Sequence, residues 1–342
     1  MSRAKKAPGH GKIVVISDTH FGDETQLLDD RRTVDRLMEA LADRGPVSEL
    51  ILLGDILDLW VETLMPSLRK ARYFIESLSR LTNVASAIYV PGNHDHQMFM
   101  DAFRLEQDVR IMQGDLSTAR FMPARSYGET LLNGLAAQRS RLHISMTYPY
   151  LVRPLDGGEV VLAHGHHLDF YAKTHGWART FWLGRHIISK RGHRPVTLHD
   201  IEMANIPFCG AMSAAPWVPE LVDEGLRYYR VISFFGRLFS SDKLRESPLR
   251  DSLIRENYAE IEQLLPQFGT PEPLCFVYGH THRPGVGRLP GRKTVIVNCG
   301  SWVRQKEEAM PTRTWVEIDG DIKLFELGRE GPVMLTREDL LA

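Results

Sequence analysis

The chain has 342 residues, 43% hydrophobic and 25% charged, which is the make-up of a globular protein with ample length for a large core. The 42 Lys and Arg against 43 Asp and Glu leave a net charge of −1, so no global basic field is present to hold a nucleic-acid backbone. No apolar run approaches the ~20 residues of a membrane span, and three cysteines without a CxxC pair fit reduced thiols in a cytoplasmic protein.

Residues 1–11 read as a short flexible tail, basic but without the apolar segment of a signal peptide. Residues 12–17 are a β-branched strand that ends in Asp18-Thr19-His20. A helical pattern follows over 27–43, then a strand over 50–53 leading into Gly54-Asp55-Ile56-Leu57-Asp58. A second helical pattern covers 67–81, and the strand 87–90 runs into Gly92-Asn93-His94-Asp95. Strand 160–163 delivers His164-Gly165-His166-His167, and strand 275–278 delivers Gly279-His280-Thr281-His282. Strands over 294–298, 314–318 and 322–327 follow, with Asp319-Gly320 as a hairpin turn. This alternation predicts an α/β protein.

Five polar clusters at strand ends thus offer carboxylates, an amide and imidazoles, the ligand set of a two-metal hydrolytic site. Two ions about 3.5–4 Å apart need a ligand that binds both, and a carboxylate does so with its two oxygens. Asp55 is the best candidate for that bridge. Nitrogen and oxygen donors without thiolate suit manganese, iron or zinc and argue against a structural zinc site. Gly54, Gly92 and Gly279 let the backbone turn sharply off a strand. Neither a GxxxxGK[ST] phosphate loop nor a GxSxG elbow occurs.

The order DxH, GDxxD, GNHD, H, GHxH, spanning residues 13 to 282, resembles that of the calcineurin-like metallophosphoesterases. The resemblance implies two stacked mixed β-sheets flanked by helices, with two divalent ions at the strand ends on one edge. It implies manganese first, with iron or zinc as alternatives. One ion would be held by Asp18, His20, Asp55 and His282, the other by Asp55, Asn93, His164 and His280. A hydroxide between the ions would attack phosphorus, while His94 protonates or steadies the leaving oxygen and Asp95 orients His94. His164 is taken as ligand because it directly follows its strand, with His166 in reserve. Asp58 reads either as a helix N-cap or as a carboxylate supporting a ligand. His96, His167 and His175 read as surface or ligand-supporting residues, and Cys209 and Cys275 as buried thiols.

The segments 17–23, 164–169, 279–284 and 297–302 resemble the bacterial branch that includes UDP-2,3-diacylglucosamine pyrophosphatase, an enzyme of lipid A synthesis with a helical cap. Those lipid enzymes carry Arg where this chain has His94, and their cap enters at a different place. The metal site carries over; the substrate does not.

Residues 12–342 form the phosphoesterase domain in this reading, with 166–273 as a helical insertion or cap. Between Asp169 and Asp200 the insertion has no acid and interleaves cations with Phe170, Tyr171, Trp177, Phe181 and Trp182. A second such stretch covers 226–239. These stretches fit ordinary packing, a protein or nucleic-acid partner, or a lid over an anionic, partly apolar substrate. As a lid, it would bind substrate through Arg185, Lys190 and Arg191.

The expected function is hydrolysis of a phosphodiester, phosphomonoester or pyrophosphate bond in a phosphorylated small molecule, nucleotide or lipid-linked substrate. A nuclease and a non-catalytic metal-binding scaffold are the alternatives. The expected location is the cytoplasm, with peripheral contact at the inner membrane as an extension.

Overall fold

The computed structural model describes residues 11–117, 125–171, 196–214, 257–305 and 310–336. Alternation sets its layers, because successive side chains on a strand point to opposite faces. On β1 (Lys12–Ile16), Val14 and Ile16 face one hydrophobic layer, whereas Ile13 and Val15 face another. Strands β2 (Val47–Leu52), β3 (Ala87–Tyr89) and β5 (Ile144–Tyr148) extend β1 in parallel. Antiparallel strands β4 (Arg125–Glu129), β11 (Thr314–Asp319), β12 (Asp321–Leu327) and β13 (Pro332–Met334) complete an eight-stranded sheet in the order β13-β12-β11-β1-β2-β3-β5-β4.

The second sheet has five strands in the order β6-β7-β8-β10-β9, with β7, β8 and β10 parallel. These are β6 (Tyr150–Leu155), β7 (Gly158–Ala163), β8 (Cys275–Tyr278), β9 (Gly285–Arg288) and β10 (Val295–Asn298). Between the sheets, Val15, Ile51, Leu53 and Val90 pack against Val160, Leu162, Val277 and Val297. Fully burying one such side chain stabilises by about 2 kcal/mol, so this aliphatic layer holds the sheets face to face. The expected two stacked mixed sheets are present.

Helices cover the outer faces. Helix α1 (Arg31–Ala42) buries Val34, Leu37, Met38 and Leu41 at helical spacing and packs with α2 (Leu64–Leu78) on the first sheet. It begins later than the pattern from 27 suggested, because Asp30 caps it: Oδ1 accepts from the Arg32 N–H at 3.2 Å and Oδ2 from the Thr33 hydroxyl at 3.0 Å. Helix α2 begins earlier than expected, with Pro66 in its first turn, where a missing N–H breaks no bond. Helix α3 (His96–Met112) had no readable apolar stripe, since Leu105, Val109, Ile111 and Met112 are exposed.

Within the expected insertion, α4 (Leu198–Ala214) and α5 (Tyr258–Leu264) are helical, and both contribute to the layer outside the second sheet. Arg185, Lys190, Arg191 and the stretch 226–239 lie outside the described residues. All three cysteines are buried and free. Among the described residues, no helix is long and apolar enough to cross a membrane.

Candidate active site

The parallel strands deliver their polar clusters to one edge, and the turn that follows each strand is conformationally special. Among the described residues, seven non-glycine positions have positive φ, and five of them are Asp18 (54°), His20 (49°), Asp55 (50°), His280 (67°) and His282 (59°). L-residues occupy this left-handed region at a cost, and such strain gathers at functional sites. Glycine makes the close approach of the turns feasible. A Cβ on Gly92 would collide with the Asp55 carboxylate, and one on Gly279 with Ser17 and Asp18.

Two groups of ligand atoms result. In the first, His20 Nε2 lies 3.0 Å from His282 Nε2, and His282 Nε2 lies 3.2 Å from Asp18 Oδ1. In the second, His164 Nε2 lies 3.1 Å from Asn93 Oδ1, which is also 3.1 Å from His280 Nδ1. Asp55 Oδ2 faces both groups, 3.7 Å from His20 Nε2 and 3.1 Å from His164 Nε2. All seven side chains expected as ligands therefore converge, with Asp55 between the two halves.

The donor chemistry fits metal binding. Two imidazole nitrogens facing each other at 3.0 Å compete for one proton, whereas an ion bound at about 2.0–2.2 Å from each donor accepts both lone pairs. The outward nitrogens are also tied. His20 Nδ1 bonds Asp58 Oδ2 at 2.9 Å, His164 Nδ1 bonds the Leu53 carbonyl at 3.0 Å, and His280 Nε2 bonds Asp169 Oδ2 at 3.1 Å. Such outer bonds fix the tautomer and leave the inward nitrogen as an electron-pair donor. The His166 ring lies 4.0 Å from that of His167 and 5.6 Å from that of His164, and neither of its nitrogens bonds a member of the two groups.

Charge is concentrated here. Burial works against ionising Asp18, but the neighbouring His164, His20 and His282 hold its carboxyl well below the usual range. Asp55 and Asp58 are likewise lowered against their burial, Asp55 chiefly by the charges of His164 and His94, and Asp58 by His94 and His20. The site is a buried cluster of carboxylates paired with imidazoles.

His94 stands at the rim, its side chain 23% exposed against 4% for His20, so it can meet a ligand from solvent. Its Nδ1 bonds Asp58 Oδ1 at 2.9 Å, and its ring stacks on Trp60 at 4.0 Å. Phe208 of α4 meets Trp60 edge-on at 5.4 Å. Asp95 is not the partner of His94. Its Oδ1 accepts backbone N–H bonds from Gly92 (2.6 Å) and Asp55 (3.2 Å), and its Oδ2 from Ile56 (2.7 Å) and Leu57 (3.3 Å). One carboxylate thus ties the β2 and β3 turns together, while Asp58 steadies both His20 and His94. Asp58 was visible in the GDxxD spacing and Asp169 closed the 164–169 segment, but Trp60 carried no comparable sequence signal.

The sheets and the double ligand cluster are those of a metal-dependent hydrolase. The chain belongs to the calcineurin-like phosphoesterase family, whose sequence profile matches residues 11–284, and it is by class a phosphoester hydrolase. No curated protein matches it significantly. Solved structures similar to it include a dimetal phosphatase from Danio rerio, at 14% identity and TM-score 0.41, covering 96% of this chain and 99% of that one. A zinc complex of Vps29 from Entamoeba histolytica aligns at 10% identity and TM-score 0.34, covering 95% and 97%. Phosphopantetheinyl hydrolase from Mycobacterium tuberculosis aligns at 16% identity and TM-score 0.30, covering 87% and 96%.

Proposed function

We propose that this chain is a dinuclear phosphoesterase that cleaves a phosphodiester, phosphomonoester or pyrophosphate bond in a phosphorylated small molecule, nucleotide or lipid-linked substrate. The observation that carries this reading is Asp55 Oδ2 lying between two imidazole-rich ligand groups, 3.7 Å from His20 Nε2 and 3.1 Å from His164 Nε2. Asp18, His20, Asp55 and His282 would hold one divalent ion, and Asp55, Asn93, His164 and His280 the other. Manganese is the first choice, with iron or zinc compatible with the same donors. When bound, such a pair supplies positive charge that polarises water and offsets the charge gathering on phosphoryl oxygens.

The remaining work falls to the protein. Asp58 accepts from His94 Nδ1, so in the imidazolium form the second proton sits on Nε2, which passes it to the leaving oxygen and ends as a neutral imidazole. Stacking on Trp60 limits the swing of the His94 ring. Trp60 and Phe208 form an apolar wall on that side, which supports a leaving group with an apolar or ring portion. A sugar-nucleotide or lipid-linked diphosphate would satisfy this. The net charge of −1 favours such a substrate over a polynucleotide.

Turnover of bis-p-nitrophenyl phosphate beside p-nitrophenyl phosphate, with manganese, tests the proposal. Activity that disappears in Asp55→Ala is expected, and the diester-to-monoester ratio reports the bond type. Equal activity in Asp55→Ala would remove the dinuclear reading. A protein that holds its metals yet turns over neither of these, nor any lipid-linked or nucleotide diphosphate, would be the non-catalytic scaffold.

A further inference from the structure

A separate set of buried ligand-type side chains lies beside the second ligand group. His166 and His167 sit on a 3-10 turn (His166–Phe170) just after His164, and Glu202 reaches them from α4. His96, at the start of α3, and Tyr148, at the end of β5, complete the surroundings. His96 and His167 are 0% exposed, Glu202 1% and His166 3%. His167 Nε2 meets Glu202 Oε1 at 2.5 Å, and the Tyr148 hydroxyl lies 3.1 and 2.9 Å from the two carboxylate oxygens. His96 Nε2 stands 3.7 Å from Glu202 Oε2, beyond hydrogen-bond reach.

The hydrogen bonds do not account for this cluster. Of the three imidazoles, Glu202 bonds that of His167 alone, and both His96 nitrogens, His166 Nδ1 and His167 Nδ1 have no hydrogen-bond partner. The contact from His166 Nε2 to the Tyr148 hydroxyl is long, at 3.5 Å. Buried polar groups are normally satisfied, so each exception calls for a cause. Additional protons would not supply one, because they would place like charges on rings 4.0 Å apart in a buried site.

We propose that His166, His167 and Glu202 form a third metal site, distinct from the dinuclear centre, that takes one zinc ion and fastens α4 beside that centre. Two imidazoles and a glutamate are a known zinc donor set, and one ligand atom from each of the three lies within 4.8 Å of the others. The Tyr148 hydroxyl then serves as the outer partner that orients the ligating carboxylate. This three-ligand set leaves a fourth position for water, and its effect here is to tether α4 to the turn after β7. The same helix α4 carries Phe208 against Trp60, so the ion would hold the apolar wall beside His94 in place.

The test is zinc stoichiometry. Full-length protein is stripped with a chelator, titrated with zinc, freed of excess metal and measured by elemental mass spectrometry. Three ions per chain are expected for the wild type, two for Glu202→Gln and for the His166→Gln, His167→Gln double variant, and one for Asp55→Ala. A wild type saturating at two ions, with Asp55→Ala holding none, would overturn the third site and leave the dinuclear proposal standing. If Asp55→Ala binds as many ions as the wild type while Glu202→Gln binds one fewer, the third site stands and the dinuclear reading fails. Should the cluster variants not fold, the wild-type and Asp55→Ala counts still decide.

Discussion

At the level of single residues, Asp58 and His94 separate two effects that the motif alone runs together. The His94 side chain bonds Asp58 rather than a proposed ligand, and its backbone N–H, which donates to Asp55 Oδ1 at 2.9 Å, survives in alanine, so His94→Ala should lower turnover about 10²–10⁴-fold while metal content stays at the wild-type value. Steady-state kinetics beside elemental analysis check this; metal lost in step with activity would make His94 a ligand instead. Asp58→Ala should do both kinds of damage, because the same carboxylate bonds His20 and His94. A loss of about 10–100-fold in metal affinity is expected from removing such an outer partner.

His164 gives a pH prediction with a definite sign. Burial opposes a charge on this ring, but the Asp55 and Asp18 carboxylates raise its pKa to about 9. The metal-free chain therefore carries a proton there at neutral pH, and an ion must displace it. Apparent metal affinity should rise by about tenfold per pH unit from this group up to pH 9 and then level off. Calorimetric titration at fixed pH, in buffers of different ionisation heat, should show a proton released per ion at the second position. No dependence on buffer would mean that His164 is already neutral.

At the level of elements, the turns after β2 and β3 are held by Asp95, and this explains why that residue is buried although it does not touch His94. Asp95→Ala removes the acceptor of four backbone N–H groups at a buried position. With a cost of about 1–3 kcal/mol for each unsatisfied group, a loss of at least about 4 kcal/mol is expected. Urea unfolding of the metal-free protein measures it, with His94→Ala as the control expected to change little. A loss under 1 kcal/mol would show that the turns hold their shape without the carboxylate.

For the whole molecule, the two sheets meet at the proposed metal positions. Asp18, Asp55 and Asn93 follow strands β1, β2 and β3 of the eight-stranded sheet, whereas His164, His280 and His282 follow β7 and β8 of the other. Bound ions would therefore cross-link the sheets, and ligand binding to the native state alone stabilises it by mass action. Metal at about 100 times its dissociation constant contributes about 2.7 kcal/mol per site. Chelation should lower the melting temperature, and manganese or zinc should restore it. An unchanged melting temperature would mean that neither ion bridges the sheets.

What could be read along the chain and what could not divide by the range of the physics involved. Apolar runs ending in a glycine turn and a ligand-type side chain are local patterns, so the α/β class and the ligand-bearing strands β1, β2, β3, β7 and β8 were legible, and the resemblance added the stacked sheets and the seven-ligand set; β4, β5, β6, β9 and β13, which end in no such motif, were not legible. The outer contacts were not. Asp58 and Asp95 lie in equally suggestive motifs, and which of them holds His94 depends on how the turns after β2 and β3 are packed. Glu202 lies on a helix 35 residues from His167 with no motif around it. Hydrogen bonds and metal donors discriminate over fractions of an ångström, and only the packed register of sheets and helices sets distances that finely. Local patterning placed the chemistry at the strand ends; long-range packing chose its partners.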